Sequence, residues 1–263
     1  MHKVFTDHIG KIISVPFPPQ RIVSVVPSQT ELLYDLGLEE QVVGITKFCE
    51  YPAHWHRSKT RIGGTKNLNI EKIKALEPDL IIANKEENVK AQIEALEAFC
   101  PVWTSEVKTF TDALNMIEQV AELTDRQVEG KQICNNIRNG FEALHDAAPS
   151  LPAAYLIWKD PYMTVGGDTF ISDMMRYAGL ENLFANTQRY PTIDLQTLQH
   201  KCKVIVLSSE PYPFTEKHIE AIQLALPGIK VALADGAMFS WYGSRLQHAA
   251  TYFKAFRKML TEC

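Results

Sequence analysis

The chain has few residues whose types and spacing suit catalysis. It contains no GxSxG turn, no HExxH pair, no GxxxxGK[ST] phosphate loop and no GxGxxG after a strand. Gly166, Gly167 and Asp168 lie between a predicted strand and a predicted helix, where free backbone N–H groups could bind an anion. A turn that caps the helix is the alternative that Gly and Asp favour. The chain therefore lacks the common catalytic and nucleotide-binding signatures.

Histidine and cysteine also give little sign of a metal centre. His54 and His56 flank Trp55 in a predicted loop, but a metal ion needs a third or fourth ligand, so surface histidines are expected. The cysteines are odd in number, widely spaced and without a CxxC pair: Cys49, Cys100, Cys134, Cys202 and Cys263. We expect buried or inert thiols, no disulfide framework and no structural metal.

Aromatic residues come at the ends of the predicted strands rather than within them. Flat aromatic surfaces with an arginine suit a bulky, partly apolar ligand that has polar or charged edges. Packing against the end of a sheet is the alternative for any one of these residues. The predicted ligand contacts of this kind are Phe48, Tyr51, Trp158, Tyr162, Tyr190, Phe239, Trp241, Tyr242 and Arg245.

Length and composition are those of an ordinary globular protein. The 263 residues favour two domains, and 46% hydrophobic with 22% charged residues can build two cores. A net charge of −4 gives no reason to expect nucleic acid or an anionic membrane as partner. Residues 1–7 lack the apolar stretch of a secretory signal. We therefore expect a cytoplasmic protein as the sequence stands, or a periplasmic one if a leader has been removed.

The first part of the chain predicts a parallel sheet. Continuous apolar runs alternate with helical patterns, as in sheets that are covered on both faces. These strands are predicted over residues 21–26, 42–46, 80–83 and 102–105. Ser28 stands three residues before Glu31, which predicts a capping box for a helix that Gly37 ends. Residues 69–76 predict an amphipathic helix.

The alternation of strands and helices then gives way to a purely helical pattern and afterwards resumes. Apolar residues at helical spacing over 109–148 predict two helices, with a break at Thr124-Asp125 and a long helix from there to about 147. Further strands are predicted over 154–158, 204–208 and 230–235, with helices over 169–179 and 245–260. The fold class is α/β. The predicted domains are a lobe over 1–124, a connecting helix over 125–148 and a lobe over 149–263, with a ligand cleft at the carboxyl ends of both sheets.

Several segments resemble a known family. QRIVSVVPSQTELLYDLG at 20–37 and NIEKIKALEPDLII at 69–82 are similar to the class III substrate-binding proteins for vitamin B12 and iron–siderophores. Shorter matches follow in order, namely VGIT at 43–46, YP at 51–52, IGG at 62–64 and GLENLF at 179–184. DHIG at 7–10 with the prolines at 18–19 is similar to that family's short N-terminal ribbon. The resemblance implies two Rossmann-like lobes with parallel sheets, joined by one long backbone helix, in the soluble receptor of an ABC importer.

The resemblance also assigns ligand contacts to individual residues. Phe48, Trp158 and Tyr190 fall at aromatic ligand positions of the B12 receptor, and Arg245 falls near a polar one. Two further aromatic positions of that receptor appear here as Thr65 and Asn84, so both join the predicted ligand contacts.

Family members dock onto their permease through one acidic residue from each lobe. Glu71 matches the first of these residues. The second falls at Leu195 or Gln196, with Asp194 as the nearest acid, and we assign it to Gln196. The implied protein partner is an ABC permease dimer, and we expect the chain itself to be a monomer.

The sequence thus predicts a non-catalytic binding protein for a bulky metal chelate: a corrinoid such as cobalamin or cobinamide, a ferric siderophore or haem. No intrinsic cofactor is expected, because the cobalt or iron belongs to the ligand. Two alternatives remain open. One is a cytosolic sensor or salvage protein for the same ligands. The other is an enzyme or metallochaperone of the same fold, acting on a small anionic substrate with the residues Lys159, Asp160, Asp168 and Asp235.

Overall fold

The computed structural model of the chain describes residues 1–144 and 150–262. The chain forms two compact units. Unit 1 comprises Met1–Val107, Thr111–Asn135 and Tyr242–Arg245, and unit 2 comprises Lys108–Phe110, Asn136–Trp241 and Leu246–Cys263. The domain boundaries expected from the sequence stay a prediction.

The first part of the chain alternates short strands with helices. In chain order its elements are β1 (His2–Thr6), β2 (Ile12–Pro16), β3 (Ile22–Ser24), α1 (Pro27–Asp35), β4 (Val42–Ile45), α2 (Ala53–Ser58), β5 (Thr60–Arg61), β6 (Gly63–Gly64), β7 (Asn67–Leu68), α3 (Ile70–Ala75), β8 (Leu80–Asn84), α4 (Lys90–Glu97), β9 (Val102–Ser105) and α5 (Phe110–Leu123).

Five of these strands form the sheet of unit 1, in the order β5-β4-β3-β8-β9, and every pair is parallel. Each residue of β3, β8 and β9 is buried. This burial on both faces explains why the strands appear in the sequence as continuous apolar runs. The predicted parallel sheet is confirmed, and the carboxyl ends of its strands lie at one edge, called here the carboxyl edge of unit 1.

The predicted capping box of α1 is wrong. The helix begins at Pro27, with Val26 as the N-cap and no side-chain cap, because proline suits the first helical position, where no N–H is needed. The Ser28 hydroxyl is buried and has no hydrogen-bond partner among the described residues. Gly37, with φ of 75°, follows the helix as expected.

An antiparallel ribbon of β1 and β2 precedes the sheet, as the family resemblance implies. Asp7 fastens the ribbon to β9. Its Oδ2 accepts a hydrogen bond from Thr104 N at 3.3 Å, and His8 N donates to Thr104 O at 3.1 Å. Asp7 Oδ1 also accepts from Lys11 N at 2.7 Å, so one buried carboxylate closes the ribbon turn and anchors it.

Two helices occupy the middle of the chain. The break between α5 and α6 (Gln127–Glu142) falls at Asp125, whose φ is 58°. The predicted long helix is therefore shorter at both ends than 125–147, and residues 145–149 lie outside the described part of the chain. A Cβ at Gly130 would overlap Ala121 Cβ, so α5 and α6 approach each other closely at this point.

The second part of the chain repeats the α/β pattern. Its elements are β10 (Leu151–Trp158), β11 (Met163–Thr164), α7 (Phe170–Tyr177), β12 (Leu180–Asn182), a 3₁₀ helix (Leu195–Leu198), β13 (Val204–Ser208), α8 (Glu216–Ala225), β14 (Lys230–Ala234), α9 (Gly236–Ser240) and α10 (Leu246–Thr261). β10 pairs in parallel with β12 and β13, β13 pairs in parallel with β14, and β11 is an antiparallel edge strand.

The predicted strands and helices of unit 2 are confirmed to within a few residues. Thr169 is the N-cap of α7, and its Oγ1 accepts from Ser172 N at 3.3 Å. None of the helices in the described ranges is both long and apolar enough to cross a membrane.

The close approach of α5 and α6 gives a stability prediction. We expect Gly130→Ala to lower the free energy of unfolding by about 1–3 kcal/mol, because the new methyl group overpacks against Ala121. Chemical denaturation measures this loss. Val128→Ala is the control, because Val128 lies in the same helix and is 82% exposed, so it should change little. Adding Ala121→Gly to Gly130→Ala should give a smaller loss than the two single losses together, and strict additivity would contradict the overlap.

Candidate ligand-binding site

The loop after β4 presents two aromatic rings at the carboxyl edge of unit 1. Phe48 is 50% exposed and Tyr51 is 46% exposed. The Phe48 ring lies against Gly64, where a Cβ would stand 3.0 Å from Phe48 Cε2, so the β6–β7 hairpin supports it. The Lys47 ammonium lies 4.9 Å from the centre of the Phe48 ring. The structure thus holds this ring in place although half of it is open to solvent.

Asn88 joins the neighbouring loops at the same edge. Its Nδ2 donates to Thr65 O and to Val25 O, both at 3.1 Å. Thr65 is thereby held beside the Gly64 position on which Phe48 rests. Local sequence gave no sign of this role for Asn88, because both acceptors come from distant segments.

Asn84 has a structural role that does not fit the predicted ligand contact. It is 2% exposed, and each polar atom of its amide is already used. Nδ2 donates to Ser105 O and Ser105 Oγ at 3.2 and 3.0 Å, while Oδ1 accepts from Glu86 N and Glu87 N at 2.8 and 3.0 Å. An amide has two donor hydrogens and one acceptor oxygen with two lone pairs, so none of this capacity is left for a ligand.

Arg245 is likewise paired within unit 1. Its Nε and Nη2 donate to Glu31 Oε2 and Oε1 at 2.8 and 2.6 Å. The two side chains are only 9% and 14% exposed. The guanidinium also lies 4.2 Å from the centre of the Tyr51 ring. A bidentate pair with a cation–π contact fixes both the loop 242–245 and the tyrosine, so the charge of Arg245 is neutralised at this edge.

Two further predicted contacts are core residues. Phe239 is fully buried and packs against Tyr155 and Phe253, with ring centres 5.0 and 4.7 Å away. Tyr242 is 5% exposed. The expectation that aromatic residues after a strand face a ligand fails for these two, because the short helix α9 turns Phe239 back into the core of unit 2.

Unit 2 presents Trp158, the last residue of β10, with 41% of it exposed. The Tyr212 ring meets it edge-on, with centres 5.7 Å apart. His218 Nδ1 accepts from Thr215 N at 2.9 Å, so the hydrogen of the neutral imidazole lies on Nε2, which donates to the Tyr212 hydroxyl at 3.4 Å. Tyr212 is not among the contacts predicted from the sequence, although it follows β13 just as Phe48 follows β4.

The other predicted aromatic contacts of unit 2 are partly buried. Tyr162 packs on the core cluster of the unit, and this burial raises the pKa of its hydroxyl. Trp241 Nε1 donates to Glu210 Oε1 at 3.0 Å. Tyr190 lies next to the Arg189 guanidinium, 5.7 Å from the centre of its ring. These residues stay predicted contacts, as does the ligand cleft between the lobes.

The cysteines, the possible metal ligands and the glycine loop give no sign of a reactive site within the described residues. Cys49, Cys100, Cys134 and Cys202 are buried thiols outside any disulfide, as expected, and burial raises the pKa of Cys100 to about 12. No group of three or more His, Cys, Asp or Glu side chains within 1–144 and 150–262 could hold a metal ion. The N–H groups of Gly166 and Gly167 are not available to an anion, because they donate to Arg189 O and Thr187 O at 2.7 and 2.9 Å.

The family model of the periplasmic binding proteins matches residues 22–223. The chain belongs to this family. A vitamin B12-binding protein of Vibrio parahaemolyticus is 28% identical over 184 residues, which are 68% of this chain and 66% of that protein. The matched part thus spans just under two thirds of the relative's length. The chain therefore belongs among binding proteins rather than enzymes, in a family whose members are periplasmic.

Solved structures support the same fold. The periplasmic heme-binding protein HutB of Vibrio cholerae has a TM-score of 0.77 at 20% identity, over 92% of this chain and 99% of that one. The molybdate-binding protein MolA of Haemophilus influenzae has a TM-score of 0.83 at 17% identity, over 98% and 91%. At such identities the likeness shows the two-lobed α/β fold and no more, and these proteins differ in what they bind.

The residues of the enzyme alternative serve local structure. Asp168 Oδ1 accepts from Arg189 N at 2.6 Å, and Asp235 caps α9 by accepting from Ala237 N at 3.1 Å. Lys159 and Asp160 are 3.8 Å apart and pair with each other. These contacts agree with the binding role that the family assigns.

The predicted docking residues lie on exposed helical turns. Glu71 is in the first turn of α3, which Asn69 caps by accepting from Lys72 N at 2.9 Å. Gln196 is in the 3₁₀ helix, where Asp194 Oδ1 accepts from its N–H at 3.0 Å. The nearest acid at the second position is therefore engaged as a helix cap.

The buried pair of Glu31 and Arg245 gives a second stability prediction. We expect Arg245→Met to lower the free energy of unfolding by about 3 kcal/mol, because the Glu31 carboxylate is left buried without its partner. The double variant Glu31→Gln, Arg245→Met should be more stable than Arg245→Met alone. Lys90→Met is the control: its pair with Glu94 is 89% and 58% exposed, so its loss should stay near zero. A double variant that loses the sum of both single changes would contradict this account.

Proposed function

We propose that the chain is the receptor for a flat, bulky metal chelate, with a corrinoid as the first candidate. The observation that carries this proposal is the placement of the exposed aromatic rings. The exposed aromatic side chains among the described residues are Tyr34, Phe48, Tyr51 and Trp158. All except Tyr34 lie at the carboxyl ends of parallel strands, where ligands of open α/β sheets bind.

Exposing these aromatic rings to solvent costs free energy unless a ligand covers them. Each aromatic side chain can bury roughly 150–250 Å², and a molecule that covers several of them gains a large apolar contact. The ligand's own chelator holds its metal, so the protein needs no metal-binding group. Stacking contacts and a few hydrogen bonds suffice for such a receptor.

The charge at the edge of unit 1 favours a corrinoid over a strongly anionic siderophore. A ligand with several negative charges needs free cations in its site, but the Arg245 guanidinium is already neutralised by Glu31. Lys47 beside Phe48 is an exposed cation at this edge, and Lys85, which follows β8, is exposed as well but pairs with Glu106 at 2.9 Å. A corrinoid ring with amide side chains needs few charged groups in its binding site. The B12-binding relative supports the same choice.

We further propose that this receptor works in the periplasm and delivers its ligand to an ABC permease. The family membership supports this role. Glu71 would supply the acidic contact of one lobe, whereas Gln196 offers only an amide at the other. Exposed ion pairs contribute about 0–1 kcal/mol each, so docking would depend on shape as much as on charge.

Optical titration tests the ligand. We expect dicyanocobinamide or cyanocobalamin to quench tryptophan fluorescence saturably, and Phe48→Ala and Trp158→Ala each to weaken binding by about ten-fold, which corresponds to ~1.4 kcal/mol. Haemin and a ferric siderophore are titrated in parallel. Tighter binding of either would make it the preferred ligand instead of the corrinoid, within the same class of metal chelates. Tyr34→Ala is the matched control, because this ring is 38% exposed but lies on α1.

Failure of all four chelates to bind at micromolar concentrations would refute the chelate receptor. Equal losses for Tyr34→Ala and Phe48→Ala would refute the placement of the ligand at the carboxyl edge. Thermal unfolding of each variant distinguishes loss of binding from loss of fold.

A further inference from the structure

The side chain of Lys47 is supported at the carboxyl edge of unit 1, although it is exposed. Its backbone N–H donates to Gly63 O at 2.8 Å, which ties the residue to β6. A Cβ at Gly64 would stand 3.4 Å from Lys47 Cε and 3.0 Å from Phe48 Cε2. The same buried glycine thus supports the stem of the lysine and the aromatic ring beside it, so the ammonium group and the ring are presented together.

The ammonium group of Lys47 has no carboxylate partner among the described residues. It lies 4.9 Å from the centre of the Phe48 ring, which is within the distance of a cation–π contact. At an exposed site such a contact contributes about 0.5–1 kcal/mol. An ammonium group has three N–H donors, and a ring face uses none of them as a carboxylate would. Lys47 can therefore donate hydrogen bonds to an anionic ligand.

Two neighbouring lysines that are also exposed are already engaged. Lys66, in the turn of the β6–β7 hairpin, donates to Glu86 O. Lys85, which follows β8, pairs with Glu106 at 2.9 Å. Of these described lysines, Lys47 alone can meet a ligand without the loss of an existing ion pair or hydrogen bond. This part of the edge thus offers one available positive charge beside an exposed ring.

We propose that Lys47 binds a phosphate group on the rim of the chelate, so that the receptor prefers corrinoids that carry a phosphate. This inference rests on the chelate receptor proposed above. The flat face of the ligand would cover Phe48, and a phosphate oxygen at its edge would accept hydrogen bonds from the neighbouring ammonium. Lysine suits this role because its ammonium is a compact charge with three donors. A single available cation matches a corrinoid with one phosphate.

The charge of the whole chain opposes this preference. The net charge is −4, so the overall field weakens the binding of an anion relative to a neutral ligand. A corrinoid without a phosphate would therefore bind at least as tightly as one with a phosphate unless a local cation reverses the order. Tighter binding of the phosphate form would thus report a specific contact rather than general electrostatic attraction.

Two corrinoids that differ by one phosphate test the proposal. The probes are dicyanocobinamide and dicyanocobinamide phosphate, titrated by tryptophan fluorescence. We expect the phosphate form to bind about three- to five-fold more tightly, which is the upper range for an exposed ion pair. This ratio should fall to one or below in Lys47→Met and persist in Lys47→Arg, because a guanidinium also pairs with phosphate. It should approach one at about 1 M salt, where the screening length is about 3 Å.

Lys74→Met is the matched control. Lys74 is exposed in the last turn of α3, close to Leu76, whose carbonyl accepts from Arg21 directly before β3 at 2.6 Å. It therefore lies toward the opposite edge of the same sheet, and its loss changes the net charge equally. The affinity ratio of the two corrinoids should stay as in the unmodified protein.

The outcomes separate this contact from the receptor itself. Saturable binding of both corrinoids with equal affinity would overturn the role of Lys47 and leave the chelate receptor standing. An equal fall of the ratio in Lys74→Met and Lys47→Met would do the same, because net charge would then explain it. Binding of neither corrinoid would refute the corrinoid receptor and this contact with it.

Discussion

The ion pair between Glu31 and Arg245 is the constraint on which the edge of unit 1 depends. It joins α1 to the segment Tyr242–Arg245, which returns to this unit from late in the chain. It also neutralises the one arginine of the predicted site and places it against Tyr51. Because the charge is used internally, the edge presents Phe48 and Tyr51 as largely apolar surfaces. Such a surface suits stacking contacts, which is why the proposed ligand is a flat chelate rather than a small oxyanion.

Much of the fold could be predicted from local sequence. The parallel strands are buried along their whole length, so their apolar runs are continuous, and helix ends at Asn69 and Gly37 follow local backbone chemistry. The site could be predicted only in part. Arg245 and Glu31 are 214 residues apart, and no local pattern relates them. Phe239 follows a strand as Phe48 does, yet the turn into α9 buries it, and position after a strand cannot distinguish the two.

The buried polar side chains differ in whether their hydrogen-bonding atoms have partners. Asn84 and Asn88 use their amides to join the loops at the carboxyl edge, so these residues rigidify the scaffold under the exposed rings. Gln119 on α5 has a buried acceptor oxygen with no donor among the described residues. A B12-binding relative and structural neighbours that bind heme and molybdate differ in ligand, as expected where function resides in sites rather than in architecture.

The most direct test of the chelate site is fluorine NMR of protein labelled with 5-fluorotryptophan. The chain has four tryptophans, of which Trp55 and Trp103 are buried and Trp158 is exposed at the end of β10. Addition of dicyanocobinamide should shift or broaden the Trp158 resonance, assigned by substitution, and leave those of Trp55 and Trp103 unchanged. Saturable binding that leaves Trp158 unaltered, or that moves the buried tryptophans alone, would contradict a chelate held by the exposed aromatic rings at the strand ends.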